Sequence, residues 1–161
     1  MAVVDLAELP GALPKSTRPD GAPIVGLDLG SKTIGVAVSD AGLMIASPMA
    51  LIRRTKFTAD AEALFKLMDS RRAGGIVIGL PVNMDGTEGP RCQSTRAFAR
   101  NLLRLKDIPI AFWDERLSTE AVNRMLIDEA DTTRARRAEL VDKAAAAWIL
   151  QGALDRLRTL R

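Results

Sequence analysis

Histidine is absent from the 161 residues. That removes Ser-His-Asp and Cys-His pairs, an imidazole general base and any His-ligated zinc. A single cysteine, Cys92, allows no internal disulfide and no Cys cluster for zinc or iron–sulfur. Long apolar runs are missing too. AAAAWIL (144–150) spans seven residues, far short of the ~20 that cross a bilayer. The opening MAVVDLAELPGALP has no basic stretch before its apolar residues and carries acids among them, so it does not read as a targeting signal. The cytoplasm is the expected compartment. What remains for chemistry at neutral pH is carboxylates and lysines. A metal bound by such a chain would be hard and oxygen-ligated, Mg²⁺ or Mn²⁺.

The basic residues are mostly arginine: 17 Arg and 6 Lys stand against 13 Asp and 7 Glu. Net charge is +3 and the isoelectric point about 9.4. Arginine favours bidentate contact with phosphate, so the balance leans toward a polyanionic partner.

Residues 1–22 hold three prolines and no sustained period, and read as a flexible N-terminal tail; 23–161 read as one domain. IVGLDLG (24–30) and TIGVAVSD (33–40) are short β-branched runs with a tight connection, which predicts an antiparallel hairpin. A third strand spans 43–54, where Pro48 demands an edge or a bulge. The period then becomes helical over 58–72, with Ala61, Leu64, Phe65 and Met68 on one face. The continuous apolar run 74–81 predicts a strand buried on both faces. A polar loop (82–91) follows, then a helix over 93–106 with Ala97, Leu102 and Leu105 inward. The rest reads as a strand over 108–115, a helix over 118–130, the basic turn-like stretch 132–137 and a last helix over 138–158. Together these give an α/β fold with one mixed five-stranded sheet flanked by helices.

In such sheets ligands bind beyond the carboxyl ends of the parallel strands. Asp28, the 81–91 loop and Asp114-Glu115 end strands one, four and five. If those strands are parallel neighbours, carboxylates distant in sequence meet on one sheet edge, as a divalent metal requires. Neighbouring strand residues face opposite ways, so one of Asp114 and Glu115 enters the site, and Glu115 is preferred. Asp142, beside the alanine run of the last helix, is a third candidate. Each has a plainer alternative: a turn-forming Asp28, a solvated strand end, and an Asp placed favourably near a helix N-terminus. GLDLGSKT (26–33) imitates a phosphate loop but has one residue too few between its glycines and Ser31 before Lys32.

GLDLGSKTIGVAVSD (26–40), GLPVNMDGTEGPR (79–91), DERLST (114–119) and VDKAAAAWILQ (141–151) together resemble the YqgF family, also called RuvX. Its members are described as pre-16S rRNA nucleases or Holliday junction resolvases with a ribonuclease H-like fold. The resemblance covers about residues 24–155. It implies that Asp28, Glu115 and Asp142 are the catalytic acids and hold one or two Mg²⁺ or Mn²⁺ ions. It implies a metal-dependent endonuclease processing the 5′ end of precursor 16S rRNA in ribosome biogenesis. The partner is then nucleic acid, RNA ahead of DNA, within the precursor of the small ribosomal subunit, with no membrane. The alternatives are a resolvase of DNA junctions, which would suit a homodimer, and a non-catalytic RNA-binding maturation factor; end-trimming would suit a monomer. Lys32, Asn83, Asp85, Arg91 and Arg116 are candidates for substrate contact. Arg96, Arg100 and Arg104 share an i, i+4 row that could track phosphates or simply be solvated.

Overall fold

The computed structural model describes residues 3–13, 21–117 and 134–160, the side chains of 134–143 excepted. The expected helix over 118–130 lies outside the described residues.

Strands β1 (Ile24–Leu29), β2 (Thr33–Ser39), β3 (Ala46–Arg53), β4 (Gly75–Leu80) and β5 (Ile110–Asp114) form one sheet in the order β3-β2-β1-β4-β5. β1 and β2 pair antiparallel with Asp28 opposite Gly35, the hairpin that the short connection predicts. β1, β4 and β5 are parallel neighbours, so the carboxyl ends of all three share one edge. Pro48 lies on β3, an edge strand, and pairs with Ala37 where the register shifts. Both conditions that accommodate a proline without a donor are met.

The side-chain period of two divides the core into two layers. Val25, Leu27, Ile76, Ile78 and Ile110 face helices α2 (Phe57–Arg71) and α3 (Pro90–Leu105), where Ala61, Leu64, Met68, Phe98, Ala99 and Leu102 are buried. Ile24, Val77 and Ala111 face the C-terminal helix α4 (Arg134–Thr159), which buries Ala146, Ile149, Leu150, Ala153, Leu154 and Leu157. α4 lies very close to the sheet. A Cβ on Gly26 would stand 2.6 Å from Leu150 Cβ and 3.1 Å from the Ala146 carbonyl oxygen. The alanine run on the helix and the glycine on the strand together permit this approach.

Several boundaries and contacts differ from expectation. α3 begins at Pro90 rather than 93, because proline at the first helical position already has helical φ and lacks only an N–H that would go unpaired there. Its buried stripe is Cys92, Thr95, Phe98, Ala99 and Leu102, while Leu105, its last residue, is exposed. Residues 134–137 are the first turn of α4 rather than a loop. Of the expected tail, residues 3–13 are not loose. Val3 forms a parallel bridge to Ile110, the Val4 N–H donates to the Ile110 carbonyl, and the short helix α1 (Leu9–Ala12) buries Leu9 completely in the α4 layer. So short a segment has too few residues to display a period, and its anchoring comes from distant partners.

Candidate active site

Three strands deliver the site. On β1, Gly26 and Asp28 share the α4 face, since Val25 and Leu27 belong to the opposite layer. On β5, Ala111 and Trp113 share that face, and the chain then turns through a 3₁₀ segment, Glu115–Leu117. β4 lies between the two. Strand spacing therefore separates β1 from β5 by roughly 10 Å, and their carboxyls can meet only above β4.

Gly79 makes that meeting possible. It pairs with Trp113 and stands one residue past Ile78, the registered partner of Leu27. A Cβ at Gly79 would lie 2.7 Å from Glu115 Oε1 and 2.5 Å from Ile149 Cδ1. The Glu115 carboxyl thus leans back over a strand position that has no side chain, and there it shares a hydrogen bond with Asp28. Burial, followed by the charge of Asp28, pushes Glu115 up to about 7, while the nearby Arg91 guanidinium pulls it partly back. The pair holds one proton more readily than two negative charges, as close carboxylates do.

Asp142 stands on α4 one turn ahead of Ala146, whose carbonyl lies over Gly26; its side chain is outside the described residues. Among the described residues no group of three or more His, Cys, Asp and Glu side chains surrounds a metal position. The donors that are placed, two carboxyls with one raised in pKa by burial and then by the other, suit a hard divalent cation, which would relieve their repulsion.

Asp114 faces away from this pair. Arg116 grips it with Nε and Nη2 at 2.9 and 2.6 Å, and these bonds hold the Asp114 carboxyl below the usual range. The Arg116 Nη1 reaches the Asn83 carbonyl at 3.5 Å. Asn83, Met84, Arg91, Glu115 and Arg116 line a cavity of about 490 Å³ at the mouth of the site. A second cavity of about 270 Å³, between the β1–β2 turn and the start of α3, shares Arg91 with the first.

A model of the RuvX family, described as Holliday junction resolvase, matches residues 22–156. The chain belongs to this family. A curated relative from Phenylobacterium zucineum, named "Putative pre-16S rRNA nuclease", is 76% identical over 161 residues, covering 99% of this chain and 100% of that one. A Caulobacter vibrioides protein of the same name is 66% identical with the same coverage. Among solved structures, T. thermophilus RuvC in complex with Holliday junction substrate matches 86% of this chain and 97% of its own with a TM-score of 0.51 and 10% identity. That likeness is one of fold, and the fold is ribonuclease H-like.

In this RuvX chain the expected site residues sort by position. Asp28 and Glu115 come together. Arg91 stands near them and lines both cavities. Asn83 and Arg116 line the larger one. Asp85 instead accepts from the Thr87 N–H and hydroxyl, at 2.9 and 2.6 Å, and so shapes its own loop. Lys32 is exposed on the β1–β2 turn and lines neither cavity. Arg96 is held by Glu88 at 2.7 and 2.9 Å and lies over the Phe112 ring, which takes it out of a free row with Arg100 and Arg104. Two further residues at the site, Gly79 and Arg54, are not among the residues the sequence pattern points to. For Gly79 the signal was present: a glycine inside an otherwise apolar buried strand marks a close approach. Arg54 gives no such signal, because its partners, Gly30 and Phe98, are far from it in sequence.

Proposed function

We propose that this RuvX-family chain is a metal-dependent endonuclease that hydrolyses phosphodiester bonds at the 5′ end of precursor 16S rRNA, acting in the cytoplasm on the small-subunit precursor. The observation that carries the reading is the Asp28–Glu115 pair, brought over Gly79 from strands that are not neighbours. A pure binder gains nothing from clustered negative charge beside phosphates. The relatives named pre-16S rRNA nucleases match this chain over nearly its full length and supply the substrate.

Asp28 and Glu115, joined by Asp142, would hold one or two Mg²⁺ or Mn²⁺ ions. When bound, the ions supply an activated water and positive charge opposite the oxygens of an in-line displacement. The rest falls to the chain. Arg91 stands where it can contact the scissile phosphate and temper the charge of the pair. Arg116, fixed by Asp114, holds the Asn83 loop at one wall of the cavity, so that a strand entering there meets donors already in place. No step calls for an imidazole, which suits a chain without histidine.

A second reading, cleavage of DNA four-way junctions, is favoured by the description of the family model. A cleavage assay with Mg²⁺ or Mn²⁺ separates the two. It would offer an RNA spanning a precursor 16S 5′ end and a synthetic four-way DNA junction, with D28N as control. RNA cleavage lost in D28N is expected. Junction cleavage alone would move the activity to recombination and call for a homodimer in place of a monomer. Silence of the wild type on both would favour a non-catalytic RNA-binding factor.

A further inference from the structure

The smaller cavity lies between the turn after β1 and the first turn of α3, lined by Gly30, Ser31, Arg54, Arg91 and Ser94 among others. It begins at Leu29, next to Asp28, and shares Pro90 and Arg91 with the cavity that Glu115 lines. The two hollows therefore adjoin at the start of α3, along Pro90 and Arg91.

The charge inside it is distinctive. The neighbouring arginines are already neutralised, Arg96 by Glu88 and Arg116 by Asp114. Arg54 and Arg91 form no ion pair among the described residues. Arg54 is nevertheless held in place: its Nη1 donates to the Gly30 carbonyl at 2.7 Å, and its guanidinium lies 5.8 Å from the centre of the Phe98 ring. A guanidinium fixed by one N–H and a ring face keeps its other donors for an anion at little further entropic cost. Ser31 and Ser94 add two hydroxyls. No carboxylate is among the residues that line the cavity, so no side-chain negative charge there opposes an anion.

We propose that this cavity binds the phosphate next to the scissile one on the cleaved strand, with Arg54 as its principal contact and Arg91 spanning both phosphates. The proposal rests on the nuclease reading and extends it: Arg54 sets the path of the strand across the site and takes no part in the bond-breaking step.

The test is the salt dependence of RNA binding, which requires no cleavage. A short fluorescein-labelled single-stranded RNA is titrated in a D28N background to keep it uncut, and R54A, R54K and R53A are compared in that background. Arg53 is exposed on β3 and lines neither cavity. R54A is expected to weaken binding about tenfold and to reduce the slope of log K against log salt by about 0.7, the value for one phosphate contact on a single strand. R53A should stay within about twofold of its parent, as a charge outside the path would. R54K keeps the charge but loses the planar fork, so it should restore the slope and only part of the affinity; it also controls for any loss of folding in R54A. Unchanged slope and affinity in R54A, an equal loss in R53A, or no RNA binding by the parent would each overturn the proposal. If wild-type protein cuts no RNA while R54A still lowers the slope, the nuclease reading fails and the phosphate site stands.

Discussion

Glu115 occupies the space that a side chain at Gly79 would fill, with its Oε1 2.7 Å from where that Cβ would be. The vacancy on β4 is what lets a carboxyl from just past the end of β5 reach one from β1. Substituting alanine at Gly79 should therefore displace Glu115, or Ile149 on the other side, without removing any acid. We expect G79A to remain folded, destabilised by about 1–3 kcal/mol, and to lose cleavage about a hundredfold, as a shift of an ångström at a reacting group does. Thermal melting and single-turnover cleavage measured together would check it; a G79A protein with normal rate would mean the carboxyl pair is not the reacting centre.

The same pair predicts an unusual effect of charge removal. Asp28 and Glu115 lie within hydrogen-bond reach, so they repel once both are ionised. D28N should abolish cleavage while leaving the metal-free protein as stable as the wild type or more so. A clear fall in its melting temperature without metal would make Asp28 a structural residue.

Glu115 also makes stability depend on pH. Its folded pKa of about 7 exceeds its ordinary value of 4.5, so the folded state binds a proton more tightly than the unfolded chain. The resulting stability is fully present below about pH 4.5 and is lost as pH rises through about 7. Because the group is partly solvated, the loss should be on the order of 1 kcal/mol. Mg²⁺ should offset it, raising the melting temperature more at pH 8 than at pH 5.5, and E115Q should flatten both responses. A metal effect equal at the two pH values would count against Glu115 as a ligand.

Leu9 offers a test of the N-terminal segment. It is fully buried against the α4 layer, so L9A should cost about 2–5 kcal/mol and lower the melting temperature by roughly 5–15 °C. Cleavage at low temperature should persist, since Leu9 packs beside Gly75 at the start of β4, away from the carboxyl ends of the strands.

The β1–β2 hairpin, the mixed sheet and the edge place of Pro48 are legible from local rules, and the meeting of Asp28 with Glu115 is legible on the condition that β1, β4 and β5 are parallel neighbours, which the strand order meets. What escaped the sequence depends on partners distant along the chain. Gly79 matters because of where Glu115 leans. Arg96 is lost to the phosphate row because Glu88 lies within its reach. Leu105 keeps the helical period but stands where α3 ends. Residues 3–13 are short and nearly patternless, and β4, β5 and α4, all distant in sequence, give them a place.

That last feature bears on biogenesis. Val3 and Val4 find their partner in Ile110, about a hundred residues further along, and Leu9 packs with Leu154 and Leu157 near the other terminus. A segment that leaves the ribosome early must wait, apolar side chains uncovered, until almost the whole chain has emerged. Contacts this distant in sequence form late, so nascent chains stalled before α4 would present Leu6, Leu9 and Leu13 to any chaperone within reach.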